Sequence, residues 1–591
     1  MKQKLYMFRT CLFLISGTCL LTSIYPNSAL GNVIYQEPEN TDLLNQLAQQ
    51  PDINEDRFLQ ETPEPLPVEP NETQVIPRPE TQPLPTTEET EQPQVMIRVN
   101  KIEVVGSTVF DSEDFNPITE QLEGRSVSLA ELSNVATAIT QLYLEQGYIT
   151  SRAVLVDQEI AEGIVQIQVF EGSLAEIQIE GTERLNPSYI RRRIQLGATT
   201  PLGVDKLEDQ LRLLKVNPLL ENIEASLRSG EEIGQSILVV RVEEAKFFYG
   251  KVGVDNYSPV NLGSERLGVT LGQRNLTGIG DSLTASYYRS TTGGSNLFEV
   301  SYLAPLNAKN GTLQLRSVID RNEITQPPFD ALDIEGESEL YEISLRQPLT
   351  RTTREEFALS LGFSFRDGQT LFLDSLPFPS IGADQDGETR VSAFRFGQDY
   401  IKRDISGAWV LRSQFSIGTG LFDATTNDAP IPDSHFFSWL GQVQRVQRLG
   451  KNNLLIVQAD LQLTPDSLLP SETFVIGGGQ SLRGYRQNLL SGDNGFRVSI
   501  EDRITLESNE AGAAIFQLAP FFDMGAVWND PDNPTDLEDD TFLAGIGLGL
   551  LWEPEPNFNI RLDYALPLVD RDDRGENAQD EGFYFSVSYR F

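Results

Sequence analysis

The sequence predicts a mainly β fold, an antiparallel transmembrane β-barrel of about 16 strands over residues 247–591, preceded by two small α+β modules. Three observations predict it. After residue 31 no apolar run approaches the ~20 residues of a membrane helix, so a spanning chain must cross as a closed barrel. From about residue 247 to the end the chain alternates with period two, apolar or aromatic residues on one face and polar or charged residues on the other. The connections between these segments alternate between short turns and long acidic loops, an asymmetry of outer-membrane barrels.

At 591 residues the chain is too long for one ordinary domain, and each part reads differently. Residues 1–31 carry the pattern of a secretory signal. Lys2, Lys4 and Arg9 precede an apolar stretch from Cys11 to Ile15 and on through Leu21, and Ala29 and Gly31 suit a cleavage site. Both cysteines, Cys11 and Cys19, fall inside it, so a processed chain has neither disulfides nor thiolate metal sites. Residues 32–95 form a Pro-, Glu-, Thr- and Gln-rich linker that cannot bury a core. Within it Leu43, Leu44 and Leu47 after Thr41 make the one helical pattern, over residues 41–50.

A repeat follows at 96–172 and 173–246. Ile102-Glu103-Val104-Val105-Gly106 has its counterpart in Ile177-Gln178-Ile179-Glu180-Gly181, and each unit closes on another strand, Val165 to Val169 and Leu238 to Val242. Between the strands, Ser128 and Glu131 form a capping box before Leu132, Val135, Ala136, Ile139, Leu142 and Tyr143 at helical spacing. Leu207, Leu211 and Leu214 make the matching stripe in the second unit. Two readings stand for these modules: sheets whose free edges accept an extended peptide as an added strand, or plain spacers.

The barrel strands are clearest at the end. Phe583, Phe585, Val587, Tyr589 and Phe591 face one way, and Tyr584, Ser586, Ser588 and Arg590 the other. Phe558, Ile560, Leu562 and Tyr564 oppose Asn559, Arg561, Asp563 and Ala565, and Leu455, Val457, Ala459 and Leu461 oppose Gln458, Asp460 and Gln462. A soluble sandwich also alternates. Arginine and aspartate on the polar face instead suit a wet lumen opposite lipid. Short turns are expected at 275–281, 448–453 and 553–557, and long loops at 367–388, 529–540 and 569–582. The acidic loops allow divalent-cation binding or simple solvation.

A barrel this wide needs something in its lumen. The connection around residues 464–490 contains Gly477-Gly478-Gly479-Gln480-Ser481-Leu482-Arg483-Gly484-Tyr485. Arg483 is either an exposed loop cation or a charge folded into the pore. The second case requires a carboxylate, because an unpaired buried charge is costly. Two are offered by inward strand faces: Asp523 in Phe521-Phe522-Asp523-Met524-Gly525, and Glu501 after Arg497 and Ser499. A bidentate Arg–carboxylate pair would hold the loop tip, and Gly484 would let its backbone approach the wall.

These motifs resemble the Omp85 superfamily signature. Leu482-Arg483-Gly484-Tyr485 is similar to the tip of the sixth extracellular loop, Phe521, Asp523 and Gly525 to its partner motif on strand thirteen, and Gly495 with Glu501 to an element on strand twelve. Terminal Phe591, with Tyr589, resembles the aromatic signal read by outer-membrane assembly machinery. Two modules before the barrel resemble the POTRA pair of the TpsB two-partner secretion transporters, the haemolysin secretion/activation proteins. Asp255-Asn256-Tyr257-Ser258 is similar to the segment opening that family's first barrel strand.

The resemblance implies an outer-membrane protein with periplasmic POTRA domains. It would recognise an unfolded, β-helical TpsA-like exoprotein and pass it through the pore. Membrane lipid, periplasmic chaperones and the barrel assembly machinery are its other implied partners. Residues 41–50 are the only candidate for the family's pore helix. An Omp85-type insertase and a passive porin are the competing readings. Enzymatic function is not expected: His435 is the only histidine, which removes His-based triads and multi-His metal sites, so no catalytic residue, metal or cofactor is assigned. The net charge of −40 argues against nucleic acid.

Overall fold

The computed structural model describes residues 96–591 apart from 328, 374, 511, 536, 538–540, 572 and 573. The signal, the linker and the helical pattern at 41–50 lie outside the described residues.

The first module contains β1 (Met96–Val99), β2 (Lys101–Val105), α1 (Ser112–Thr119), β3 (Arg125–Ser128), α2 (Leu129–Glu145), β4 (Arg152–Leu155) and β5 (Ile164–Phe170). Strand β5 is central, parallel to β2 and antiparallel to β4. Helix α2 starts at the expected capping box, with Ser128 and Glu131 each bonded to the other's backbone. Its stripe of Leu132, Val135, Ala136, Ile139 and Tyr143 is buried against the strands. The second module contains β6 (Ser173–Glu180), α3 (Pro187–Gln195), α4 (Val204–Lys215), β7 (Leu220–Ser229) and β8 (Gln235–Glu244), with sheet order β6-β8-β7. Leu207, Leu211 and Leu214 of α4 are in its core. In both three-stranded sheets the outer strands keep one free edge.

Sixteen long strands then close into a barrel. They are β9 (Phe248–Asp255), β10 (Arg266–Arg274), β11 (Ser282–Ser290), β12 (Ser295–Pro305), β13 (Thr312–Glu323), β14 (Glu335–Arg351), β15 (Glu355–Phe372) and β16 (Glu388–Asp404). The second half is β17 (Gly407–Thr419), β18 (Phe437–Arg448), β19 (Asn453–Leu463), β20 (Asn494–Ser508), β21 (Ala514–Trp528), β22 (Phe542–Glu555), β23 (Phe558–Pro567) and β24 (Phe583–Arg590). Each strand pairs antiparallel with the next, and β24 returns to β9 to seal the cylinder. Phe591 extends that seam: its N–H and carbonyl exchange 2.9 Å hydrogen bonds with Gly250. Closure leaves no strand edge in the lipid.

The alternation sorts as expected. Leu562, Tyr564, Phe583 and Tyr589 are exposed outward, whereas Asp460, Gln462, Asp563 and Tyr584 are buried inside. Two expected connections are shorter. Strand β15 runs on to Phe372, so the loop at 367–388 shrinks to 373–387, because residues 367–371 continue to pair with β14. The turn at 553–557 contracts to 556–557, because β22 extends to Glu555. The resemblance of Asp255-Asn256-Tyr257-Ser258 to a strand opening also needs correction, since Asp255 ends β9 and the next three residues lead into the first outer loop.

Candidate functional site: a loop seated in the barrel lumen

The connection between β19 and β20 is the sixth on the long-loop side and turns back into the barrel. It has its own small core. Phe474–Ile476 and Leu490–Gly492 pair as a short hairpin, and Leu482 and Tyr485 pack with Phe474, Ile476 and Leu490. Wall residues Leu440, Val527 and Leu543 complete this cluster. The Gly-rich turn is needed for the fold: Gly477, Gly478 and Gly484 have φ of 118°, 97° and 108°, a region that L side chains rarely occupy.

Arg483 is 5% exposed and held from three sides. Its Nε and Nη2 donate to Asp523 Oδ2 and Oδ1 at 2.7 and 2.9 Å, the bidentate fork, and its backbone N–H donates to the same carboxylate at 3.1 Å. Nη1 donates to Glu501 Oε2 at 2.8 Å and lies 3.7 Å from Asp563. The guanidinium also sits over the Phe521 ring, 3.3 Å from its centre. Barrel register brings these together, with Ser499 opposite Asp523 and Glu501 opposite Phe521 across β20 and β21. Of the residues expected from the sequence, Arg483 meets Glu501, Phe521 and Asp523, and Leu482 lies beside Gly525, whereas Gly484 and Tyr485 engage other residues of the wall.

The site is larger than that expectation. Arg561 donates to Glu501 at 2.6 Å and to Asp563 at 2.6 Å, and Arg503 donates to Glu501 at 2.8 Å. Three guanidinium groups thus face three carboxylates, Glu501, Asp523 and Asp563, so the charges balance. The alternation of β23 places Arg561 and Asp563 inward, but only the closed barrel brings β23 near β20. Tyr584 is another residue that the motifs missed. Its hydroxyl accepts the Gly484 N–H at 2.9 Å and donates to the Tyr485 carbonyl at 2.6 Å. Tyr485 in turn donates to the Ala544 carbonyl at 2.8 Å. Arg486 pairs with Asp580 in the loop at 568–582, and Gln579 of that loop donates to the Asn256 and Ser258 carbonyls.

Beneath the tip lies a bed of glycines. On β22, Gly545, Gly547 and Gly549 face inward while Ile546 and Leu548 face lipid. A Cβ on Gly545 would stand 2.1 Å from the Arg483 carbonyl oxygen, and one on Gly549 would stand 2.4 Å from Asp563 Oδ1. The Gly-x-Gly-x-Gly pattern was a legible signal for a close approach at period two.

Tyr584→Phe is expected to leave the Gly484 N–H and the Tyr485 carbonyl unpaired, at about 1–3 kcal/mol. Hydrogen exchange at residues 483–486 checks this and should accelerate, while the barrel strands stay protected.

A closed barrel that folds an outer loop into its own lumen, with two small α+β modules on its other side, defines an outer-membrane transport barrel of the Omp85 class. Residues 234–551 match the family of haemolysin secretion/activation proteins ShlB/FhaC/HecB, and residues 97–172 match the ShlB-type POTRA domain. The chain belongs to the ShlB/FhaC/HecB family. It is 24% identical to the heme/hemopexin transporter protein HuxB of Haemophilus influenzae, over 81% of this chain and 84% of that protein. It is also 24% identical to the outer membrane transporter CdiB of Escherichia coli, over 67% of each. The solved CdiB structure from Escherichia coli superimposes with a TM-score of 0.63 at 22% identity, covering 94% of this chain and 99% of that one. The chain is accordingly an outer-membrane transporter of the two-partner secretion type, with its POTRA modules in the periplasm.

Proposed function

We propose that the transporter receives an unfolded exoprotein on the free edges of its POTRA sheets and passes it through the barrel while the seated loop gives way. The supporting observation is how the loop tip is held. Arg483 is fixed by ion pairs and hydrogen bonds whose partners are all charged or polar, so water and a polar cargo backbone can replace them on release. A tip anchored by apolar contacts alone would have no such exchange. The residues carrying the latch are Leu482, Arg483, Gly484 and Tyr485 on the loop, and Glu501, Phe521, Asp523 and Gly525 on the wall. Phe591 and Tyr589, exposed at the seam, serve as the assembly signal. The functional units follow 96–172 and 173–246 for recognition and 247–591 for passage.

The cargo is a TpsA-like protein that folds into a β-helix outside the cell. Its folding supplies the drive, since strand addition and refolding need no nucleotide. The test is co-expression of the chain with a candidate TpsA-like exoprotein. The exoprotein is expected in the medium only when the transporter is present. Its release without the transporter would overturn the reading.

A further inference from the structure

Where the second module meets the barrel, a cleft of about 220 Å³ opens between α3, α4 and two periplasmic turns. Arg193, Leu196 and Leu213 line it from the module, and Lys309, Leu349 and Arg351 from the barrel. Its described lining holds three cations and no carboxylate. The contact is direct: Arg193 Nη2 reaches Asn310 Oδ1 at 3.4 Å, and the Asn186 N–H donates to the Gly278 carbonyl at 2.9 Å.

Arg193 is unusual. It is only 6% exposed, its Nη1 donates to the Tyr189 carbonyl of its own helix at 3.1 Å, and its guanidinium lies 3.4 Å from the Tyr189 ring centre. Its Nε has no hydrogen-bond partner. A buried guanidinium beside a second arginine, with no carboxylate in the cleft lining, favours an anionic partner. Burial also lowers the Arg193 pKa, and the nearby Arg351 adds to this. Arg351 itself bonds Glu356 at 3.1 Å, outside the cleft lining, so Arg193 and Lys309 are the cations left for a ligand.

Position decides what kind of anion. On β14, Tyr341, Ile343 and Leu345 point outward into the lipid band. The same row reaches Leu349 at the periplasmic end, where a bulge between Pro348 and Thr350 leaves it 57% exposed. The cleft therefore opens at the periplasmic edge of the hydrocarbon layer, with Leu196 and Leu349 beside its cations. Free phosphate has no use for leucines. A phospholipid presents its phosphate at this depth with glycerol and acyl carbons beneath it.

The geometry points to a binding site for the phosphate of an anionic phospholipid of the periplasmic leaflet, held by Arg193 and Lys309, with Leu196 and Leu349 against its glycerol and upper acyl carbons. A lipid bound here would bridge module and barrel and fix the angle at which cargo is presented to the pore.

The test is native mass spectrometry of the full chain in detergent, titrated separately with phosphatidylglycerol, phosphatidylcholine, glycerol phosphate and inorganic phosphate. One phosphatidylglycerol is expected to bind in preference to phosphatidylcholine, with a loss of about fivefold in each of Lys309→Gln and Arg193→Gln. Lys309 is on an exposed turn, so its variant tests the site even if Arg193→Gln unsettles the module. Equal binding of the two lipids, or full phosphatidylglycerol binding in Lys309→Gln, would overturn the proposal. So would displacement of the lipid by glycerol phosphate or inorganic phosphate at equal concentration, which would make this a site for free phosphate.

Discussion

Arg483→Ala is expected to leave the barrel folded and inserted while export of the partner exoprotein falls to a small fraction of the wild-type level. The substitution removes one of three guanidinium groups that balance three buried carboxylates, leaving Asp523 without its bidentate partner. Breaking a buried pair from one side costs about 3–5 kcal/mol, because the remaining charge stays desolvated. That cost falls on the loop rather than on the cylinder. The wall carboxylates keep Arg561 and Arg503, and the strand ladder around β20 and β21 does not involve the loop. The loop can escape the penalty by leaving its seat, and the carboxylates by taking up water. The heat-modifiable mobility of a folded barrel and the amount of exoprotein in the medium measure the two halves of this outcome. Arg483→Lys should lie between, since an ammonium keeps the charge but cannot make the planar fork to Asp523. Normal secretion from Arg483→Ala would sink the latch.

The molecule is legible from its residues where a local pattern carries the physics. Period two marked the lumenal and lipid faces because a barrel strand has only those two environments, and Arg561 and Asp563 fell on the correct side without any knowledge of the fold. Asp523 and Glu501 were identifiable as partners because a buried arginine demands a carboxylate and the strands that follow the loop offer these two on their inward faces. The rest depended on closure. Arg561 and Glu501 are 60 residues apart, and Tyr584 and Gly484 are 100 apart. No periodicity relates them; they meet only because β23 and β24 come round the cylinder to face the loop. Strand ends such as Phe372 were also illegible, because the alternation does not change where a strand leaves the membrane and continues into water.

The glycine bed on β22 gives the second large effect, one that separates shape from charge. Gly545→Val is expected to unseat the loop with every ionic partner of Arg483 still in place. A Cβ at this position would stand 2.1 Å from the Arg483 carbonyl oxygen, and the obstacle is backbone, so no side-chain rotation relieves it. Overpacking of this kind costs about 1–3 kcal/mol. Gly545 pairs in register with Asp523 on one side and Pro567 on the other, so the strand is fixed in the sheet and the loop is the part that yields. Gly362→Ala on β15 is the control. Its Cβ would have Ser344 Cβ at 3.4 Å and the Ile343 and Arg395 carbonyl oxygens at 3.5 and 3.9 Å, ordinary contacts that involve no residue of the loop, so the loop should stay seated. Protease accessibility of the loop at 477–488 and conductance of the reconstituted pore distinguish the two variants: both should rise in Gly545→Val and stay near wild type in Gly362→Ala. If Gly545→Val leaves the loop protected, then the ion pairs with Asp523 and Glu501 hold the tip against a steric collision, and charge rather than fit sets its place in the lumen.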